Sequence, residues 1–219
     1  LKEYDEPNTV AKEKEEVISL LAKLNLDETI DGIMVDRPFH KGWDEMEIYS
    51  HLNHKKDVDG CTIFNAGLLF QNKECFVPST AKAVIELLDF YKIDIEGKNV
   101  VVVGRSKTVG APVAQLLTNK NATVTVCHSK TKDLKQHTQN ADIVIAAIGK
   151  SKFVTSDMIK QGAVIIDVGI NRSDDGTLTG DVDYEEVYNK ASYITPVPGG
   201  VGPMTIAMLM NNVIKACSF

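Results

Sequence analysis

Residues 100–110 read VVVVGRSKTVG. An apolar β-branched run that ends in a glycine predicts a buried strand and a tight turn into a helix. Gly110 permits close packing of that helix on the strand, and Pro112 suits its first turn. A phosphate group binds such a helix N-terminus through free N–H groups and the helix dipole. The stretch therefore predicts a nucleotide-binding βα unit, with a βα connection that binds nothing as the alternative.

The chain from Gly97 onward alternates short apolar runs with helical stretches. Helices are predicted at 109–119, around 131–138 and around 155–160. Runs of this kind are typical of strands that are buried on both faces of a parallel sheet, and they occupy 99–103, 122–126, 142–148, 163–168 and 192–195. The order predicts an α/β fold with a Rossmann-like, doubly wound parallel sheet.

The chain before Pro78 has a different pattern, which indicates a second lobe. Apolar residues at helical spacing predict a helix through Val17 and Leu24, and residues 30–36 form a short β-rich run. Residues 44–53 are predicted to be helical and 56–67 to be a loop. Two further helices are predicted, one opening at 79–80 with Ser-Thr capping chemistry and one over 203–219.

Composition narrows the class of protein. The 219 residues are 43% apolar and 25% charged, which is enough for one large or two small packed domains. Four scattered cysteines and no signal peptide favour free thiols in the cytosol. The net charge of −6 argues against a nucleic-acid partner, and no stretch is long enough to span a membrane. A small molecule is the expected partner.

The end of the second predicted strand indicates which nucleotide binds. NAD-selective folds place an acid there to bind the ribose 2′-hydroxyl, but this strand runs into His128, Ser129 and Lys130. Arg105, Ser106 and Ser129 instead suit a dianionic 2′-phosphate, which predicts NADP as the cofactor. The alternative is that these are solvated surface groups.

Several segments together resemble the bifunctional methylenetetrahydrofolate dehydrogenase/methenyltetrahydrofolate cyclohydrolases of one-carbon metabolism. The resemblance runs from about residue 24 to the C-terminus. Its segments are KDVDG (56–60), VVVGRSKTVGAP (101–112), ATVTVCHSKT (122–131), ADIVIAAIGK (141–150), GAVIIDVGINR (162–172), GDVDYEEV (180–187) and YITPVPGGVGPMT (193–205). The last of these is long and specific.

The resemblance implies a cofactor site. Similar enzymes bind NADP through the residues that match Gly104, Arg105, Ser106 and Ser129, in agreement with the phosphate argument. Ile170 matches a position whose backbone lies against the nicotinamide.

The resemblance also implies a substrate site. Asp59 matches the carboxylate that accepts two N–H groups from the pterin ring of a tetrahydrofolate derivative, whereas Asp57 is expected to cap or orient the loop. The Pro- and Gly-rich stretch is expected to be a loop before the last helix and to touch substrate with Pro198, Gly199, Gly200, Val201, Gly202 and Pro203.

The implied reaction is hydride transfer from 5,10-methylenetetrahydrofolate to NADP, followed by hydrolysis to 10-formyltetrahydrofolate. Similar enzymes are usually homodimers through the nucleotide domain. The expected domains are a folate lobe of residues 1–78 with 204–219, incomplete at its N-terminus, and an NADP domain of residues 79–203.

The sequence departs from the family pattern on the folate side. The family's Tyr-x-x-x-Lys helix has no match, since Tyr4 is followed four positions later by Asn8, so the chain is interpreted as a fragment. Asp36 stands for the family glutamine, Arg37 for a leucine and Ser79 for a cysteine. Asp36 and Asp59 are the catalytic candidates. A carboxylate at 36 would raise the pKa of the family lysine, so dehydrogenase activity is expected to survive better than cyclohydrolase activity.

Three alternatives stay open. One is a catalytically impaired folate- and NADP-binding homologue, and another is an NADP reductase of a different small substrate. His51 and His54 could share a metal, but no acid or cysteine set accompanies them, and no metal is expected.

Overall fold

The computed structural model describes residues 13–173 and 175–218. Tyr4, Asn8 and the other residues of the expected folate lobe before residue 13 lie outside this range. The helices are α1 (Lys14–Leu26), α2 (Glu45–Ser50), α3 (Ile63–Phe70), α4 (Ser79–Phe90), α5 (Gly110–Asn119), α6 (Leu134–Thr138), α7 (Tyr184–Tyr188) and α8 (Val201–Ala216). The strands are β1 (Asn99–Val103), β2 (Thr123–Cys127), β3 (Ile143–Ala146), β4 (Val164–Asp167), β5 (Asn171–Arg172), β6 (Leu178–Thr179) and β7 (Tyr193–Ile194).

Five strands form one parallel sheet in the spatial order β2-β1-β3-β4-β7. Each of the five predicted strands is present, so the predicted sheet is confirmed. β1 lies between β2 and β3, and Val103 at its end is level with Cys127 and Ala146. From β1 the chain passes to β2 on one side, and it then returns to β3 on the other side of β1. Ligands of open α/β sheets bind in the crevice at the carboxyl ends of the two strands where the order reverses, here β1 and β3.

Helices cover both faces of this sheet because successive side chains of a strand point to opposite sides. Val100 and Val102 of β1 pack in a cluster with α4, α5 and the start of α8. Val101 and Val103 pack on the other side, with residues of α6 and α7. The structure is thus the doubly wound α/β fold that the sequence predicts.

Two helical predictions in this domain need correction. The stretch around 155–160 contains only a 3₁₀ turn at Ser156–Met158. The last helix begins at Val201, two residues before the predicted start, so Val201, Gly202 and Pro203 lie in its first turn rather than in a loop. Proline fits there because the first N–H groups of a helix have no intrahelical partner.

A two-stranded antiparallel hairpin of β5 and β6 lies outside the main sheet.

The first lobe differs more from the prediction. The run 30–36 forms no strand, and only Ile33 makes an isolated bridge, with Asp57. The predicted loop 56–67 ends early because α3 starts inside it, after Thr62, whose side chain accepts a hydrogen bond from the N–H of Asn65. α2 is also shorter than the predicted 44–53.

The last helix packs on both lobes, because Val201 at its start belongs to the apolar cluster of the sheet and Ala216 at its end packs with Val58 and Phe76. The side-chain amide of Asn212, which is buried, donates to the carbonyl oxygens of Val58 at 2.8 Å and Val77 at 3.0 Å. α8 therefore fixes the loop that contains Asp59. Of the helices within residues 13–173 and 175–218, none is long and apolar enough to cross a membrane.

Candidate functional site

In the turn after β1 the backbone of Gly104 lies close to the backbone of Ala147 and of Gly110. Gly104 has φ +128°, and a Cβ there would collide with the carbonyl oxygen of Ala147 at the end of β3. A Cβ on Gly110 would collide with the carbonyl oxygen of Gly104. Both glycines are therefore required by the close approach of β1, β3 and α5, and the N-terminus of α5 opens at this crevice.

The predicted phosphate ligands follow directly from this turn. Arg105, Ser106 and Ser129 are exposed, and within the described residues Arg105 makes no ion pair with a carboxylate. Because β1 and β2 are paired to their ends, the loop with Arg105 and Ser106 and the loop with Ser129 leave the sheet side by side. Ser106 Oγ accepts a hydrogen bond from the N–H of Gly110 at 3.3 Å. A guanidinium and two hydroxyl groups beside a helix N-terminus fit a dianionic phosphate.

A cavity of about 150 Å³ lies between the end of β4 and the start of α8. Ile170, whose side chain is 65% exposed, lines it. All six predicted substrate residues line it too: Pro198, Gly199, Gly200, Val201, Gly202 and Pro203. The structure thus brings the predicted nicotinamide contact and the predicted substrate loop to one cavity.

A second cavity, of about 300 Å³, lies among α3, α5 and the C-terminal end of α8. None of the predicted site residues lines it. The smaller cavity is therefore the better candidate for the site, despite its size.

Two buried aspartates shape the smaller cavity. Asp167 lines it and accepts hydrogen bonds from the N–H groups of Gly169, Asp181 and Val182, each at 2.9 Å. Burial raises the pKa of Asp167 to about 6, and the three N–H donors oppose that rise. The carboxylate fixes the turn that presents Ile170.

Asp181 ties together loops from different strands. Its carboxylate accepts from the N–H groups of Ile148 at 2.6 Å, Gly149 at 3.0 Å and Lys150 at 2.8 Å, which follow β3. It also accepts from the side-chain amide of Asn171 at 2.9 Å. The loops after β3 and β4 therefore share one fully buried acceptor.

Asp59 presents a partly exposed carboxylate in the first lobe. Its side chain is 22% exposed, and Arg37 Nη2 lies 3.4 Å from Oδ2. Ser79 Oγ donates to Oδ1 at 3.3 Å, and Cys61 Sγ lies 3.3 Å from Oδ2. These long contacts leave the carboxylate able to accept further hydrogen bonds.

Asp57, two residues earlier, has the structural role that the sequence allowed. It is 1% exposed and accepts from the N–H of Cys61 at 3.1 Å, the N–H of Thr62 at 2.8 Å and the side-chain amide of Asn65 at 2.8 Å. Asp57 thus fixes the loop before α3, and Asp59 is the carboxylate that remains available.

The prediction that Ser79 caps α4 is wrong. Pro78 is the N-cap residue and no side chain caps the helix. Ser79 is the first helical residue, and its hydroxyl faces Asp59 instead. In the next position Thr80 Oγ1 accepts a hydrogen bond from Thr205 Oγ1 of α8 at 3.4 Å, which connects the first turn of α4 with α8.

Asp36 lies near this group in sequence but is exposed. Its carboxylate accepts a hydrogen bond from the N–H of Arg37 at 2.8 Å.

The thiol of Cys61 lies beside Asp59 and is not reactive. Burial and the nearby Asp59 raise the pKa of the Cys61 thiol to about 12, so Cys61 is not a thiolate at neutral pH.

The histidine of the possible metal pair that lies nearest to this loop, His54, packs against an aromatic ring. Its ring centroid lies 3.9 Å from that of Phe64. No group of three metal-ligating side chains occurs within residues 13–173 and 175–218.

Several residues of the site were not singled out as partners by sequence reasoning. Arg37 was noted only as a departure from the family, and Asp167 and Asp181 were noted only as parts of matching segments. The signal for the last two was an aspartate in each of two neighbouring motifs, DVGIN (167–171) and GDVD (180–183).

Family models match both parts of the chain. The model of the tetrahydrofolate dehydrogenase/cyclohydrolase NAD(P)-binding domain matches residues 78–219, and the model of the catalytic domain matches residues 2–59.

Individual proteins are also similar. The bifunctional protein FolD of Campylobacter concisus is 55% identical over 201 residues, which are 92% of this chain and 71% of that protein. The crystal structure of the Campylobacter jejuni bifunctional enzyme is 47% identical with a TM-score of 0.92, covering 94% of this chain and 73% of that one. The Trypanosoma brucei enzyme, solved in complex with NADP cofactor and an inhibitor, is 38% identical with a TM-score of 0.88, covering 96% and 73%.

Proposed function

The chain belongs to the tetrahydrofolate dehydrogenase/cyclohydrolase family, and from that premise we propose that its crevice holds NADP and a tetrahydrofolate derivative side by side. The FolD proteins that this chain matches are bifunctional, and so is this chain. It oxidises 5,10-methylenetetrahydrofolate to the 5,10-methenyl form with NADP and hydrolyses that product to 10-formyltetrahydrofolate. NADP supplies a hydride acceptor at C4 of its nicotinamide.

We place the cofactor along the carboxyl edge of β1, β2 and β4. Gly104 lets the backbone approach the nucleotide, and α5 offers its N-terminus to the diphosphate. Arg105, Ser106 and Ser129 grip the 2′-phosphate, and the exposed Ile170 lies at the nicotinamide end. The absence of an acid after β2 and the open position of Arg105 support this placement.

We place the substrate between Asp59 and the segment 198–203, which comprises the end of the loop before α8 and the first turn of that helix. The two oxygens of Asp59 accept the 2-amino and N3 hydrogens of the pterin ring, which fixes the direction of the methylene carbon. The segment 198–203 packs on the flat ring and excludes water from the hydride path. Because the substrate's own nitrogens stabilise the cation that forms, positioning by these residues is the main catalytic contribution of the chain.

In the hydrolysis a water oxygen bonds to the methenyl carbon, the bond from that carbon to N5 breaks, and one proton is released. Asp36 is exposed on the folate side and is proposed to take part in moving that proton. The weaker cyclohydrolase activity expected from Asp36 stays a prediction.

The oligomeric state, the domain boundaries and the location are proposed from the same family membership. We propose a homodimer through the nucleotide domain of residues 79–203, a folate lobe of residues 1–78 with 204–219, and a cytosolic location. No nucleic acid or membrane partner is proposed, since the chain has a net charge of −6.

The observation that carries the proposal is the contrast in one loop between the buried Asp57 and the available Asp59. Asp59→Asn keeps the shape but replaces one acceptor oxygen with donor hydrogens that face the pterin hydrogens. We expect kcat/KM for NADPH formation from 5,10-methylenetetrahydrofolate to fall about 100-fold, while the thermal midpoint stays within a few degrees.

The matched control is Asp31→Asn, an exposed aspartate of the same lobe, which is expected to leave both quantities unchanged. Full activity in the folded Asp59→Asn protein would show that the substrate binds elsewhere.

A further inference from the structure

Arg37 lies against the carboxylate that we assign to the pterin ring. Its Nη2 is 3.4 Å from Asp59 Oδ2, and the side chains of Arg37 and Asp59 are 33% and 22% exposed. Both groups therefore reach the same partly open surface. The inference below rests on the proposed function, because it takes the pterin to bind at Asp59.

The donors around Asp59 leave it unsaturated. Oδ1 accepts one hydrogen bond from Ser79, and Oδ2 receives contacts from Arg37 and Cys61. The contacts of Ser79 and Arg37 are 3.3 Å and 3.4 Å long, at the weak end of the hydrogen-bond range, and the thiol of Cys61 is a weak donor by its chemistry. A carboxylate has about four acceptor positions, two on each oxygen, so Oδ1 keeps a free position. At Oδ2 a ligand N–H takes the position of the Cys61 thiol, which is a weak donor, while Arg37 stays in place.

The pterin ring presents three polar groups in a row: the 2-amino group, N3–H and the 4-oxo oxygen. The first two are donors and the third is an acceptor. Asp59 supplies the two acceptors that this edge needs. A donor must lie beside one carboxylate oxygen to complete the set, and the guanidinium of Arg37 is in that position.

We propose that Arg37 donates to the 4-oxo oxygen of the pterin and so makes the site selective for 4-oxo over 4-amino pteridines. Arginine has five N–H donors and no acceptor, so it can bond Asp59 and a ligand oxygen together. A 4-amino group would point its own hydrogens at the guanidinium. A site built to hydrogen-bond one substituent discriminates strongly against an analogue that cannot make the bond.

The test compares folic acid with its 4-amino counterpart, 4-amino-4-deoxyfolic acid, by equilibrium titration of the full chain. Wild type is expected to bind folic acid at least tenfold more tightly than the 4-amino compound. Arg37→Leu should weaken folic acid binding about tenfold and leave the 4-amino compound unchanged or slightly tighter. Arg37→Lys keeps one cationic donor and should retain part of the preference.

Arg172→Leu is the matched control, since it removes the same group from an exposed hairpin and should leave both affinities unchanged. Tighter folic acid binding by Arg37→Leu would overturn the inference, because it would mean that Arg37 competes with the ligand for Asp59. An unchanged ratio of the two affinities would overturn it as well.

A separate measurement distinguishes failure of the inference from failure of the proposed function. If wild type forms NADPH from 5,10-methylenetetrahydrofolate while Arg37→Leu keeps the wild-type ratio, only the inference fails. If wild type neither turns over that substrate nor binds folic acid, the proposed function fails too. Circular dichroism establishes that each variant is folded, and Arg37→Lys tests the inference should the leucine variant not fold.

Discussion

The two sides of the crevice hold their carboxylates in opposite ways. On the nucleotide side, Asp167 and Asp181 are buried and take nearly all of their hydrogen bonds from backbone N–H groups at 2.6–3.0 Å. On the folate side, Asp59 is partly exposed, and its side-chain donors lie at 3.3–3.4 Å. Backbone donors cannot turn away, whereas side-chain donors can move when a ligand arrives. The first arrangement fixes loops, and the second keeps a carboxylate available.

The largest expected effect on stability comes from changing a carboxylate of the nucleotide side, where backbone N–H groups hold Asp167 and Asp181. Asp181→Asn replaces an acceptor oxygen with an amide group that faces backbone N–H donors of Ile148, Gly149 and Lys150. Hydrogen bonds to a buried charge are strong, and losing several of them is expected to lower the free energy of unfolding by about 4 kcal/mol. Urea denaturation of the two proteins measures the difference.

Asp175→Asn is the control for that experiment. Asp175 is exposed and accepts a single backbone hydrogen bond, from Thr177 at 2.9 Å. Its loss should cost less than about 1 kcal/mol. Equal losses in the two variants would remove the distinction between fixed and available carboxylates.

A second prediction concerns pH. Burial raises the pKa of Asp167 from 3.8 to about 6, with Asp181 beside it acting in the same direction. Between about pH 4 and pH 6 the folded protein thus binds a proton that the unfolded chain releases. The contribution of Asp167 to the free energy of unfolding is therefore greatest below pH 4, falls as pH rises to 6, and is constant above that. The full change is expected to be about 3 kcal/mol.

Asp167→Asn isolates this contribution, since the asparagine does not titrate. Urea denaturation at pH 4, 5, 6 and 7 gives the stability of wild type minus that of the variant, in which the effects of other groups cancel. The difference should decline by about 2 kcal/mol across that range, because at pH 4 more than half of the unfolded chains have already released this proton. A flat difference would mean that the three N–H donors fully offset the burial of Asp167.

The sequence predicted the nucleotide side because its signals are local. A strand buried on both faces is an unbroken apolar run, and the crossing of β1 and α5 is marked by Gly104 and Gly110 themselves. The folate lobe lacks such signals. Residues 56–67 resembled one loop although α3 starts within them, after Thr62, and Ile33 makes one bridge where the β-rich run suggested a strand.

The partners within the site could not be read from the sequence for a related reason. Arg37 reaches Asp59 across 22 residues, and Asp181 reaches Ile148 across 33. Such pairs depend on how loops return to each other in the fold. A residue pattern can identify the available carboxylate, but the donors that surround it follow only from the structure.

The smallest expected effect comes from a change on the folate side, beside the available carboxylate of Asp59. Ser79→Ala removes the 3.3 Å contact with Asp59 Oδ1, a long hydrogen bond between the buried Ser79 and the partly exposed Asp59. We expect KM for 5,10-methylenetetrahydrofolate to rise about threefold with kcat nearly unchanged, because Asp59 loses one of several weak supports. Steady-state kinetics and thermal denaturation of both proteins test this. Since Ser79 does not cap α4, stability should stay within about 0.5 kcal/mol, whereas loss of a true N-cap costs about 1 kcal/mol. A large loss of stability with an unchanged KM would mean that Ser79 stabilises the fold rather than the available carboxylate. The Asp59 site would then contain both kinds of hydrogen bond, those that fix the structure and those that leave Asp59 available.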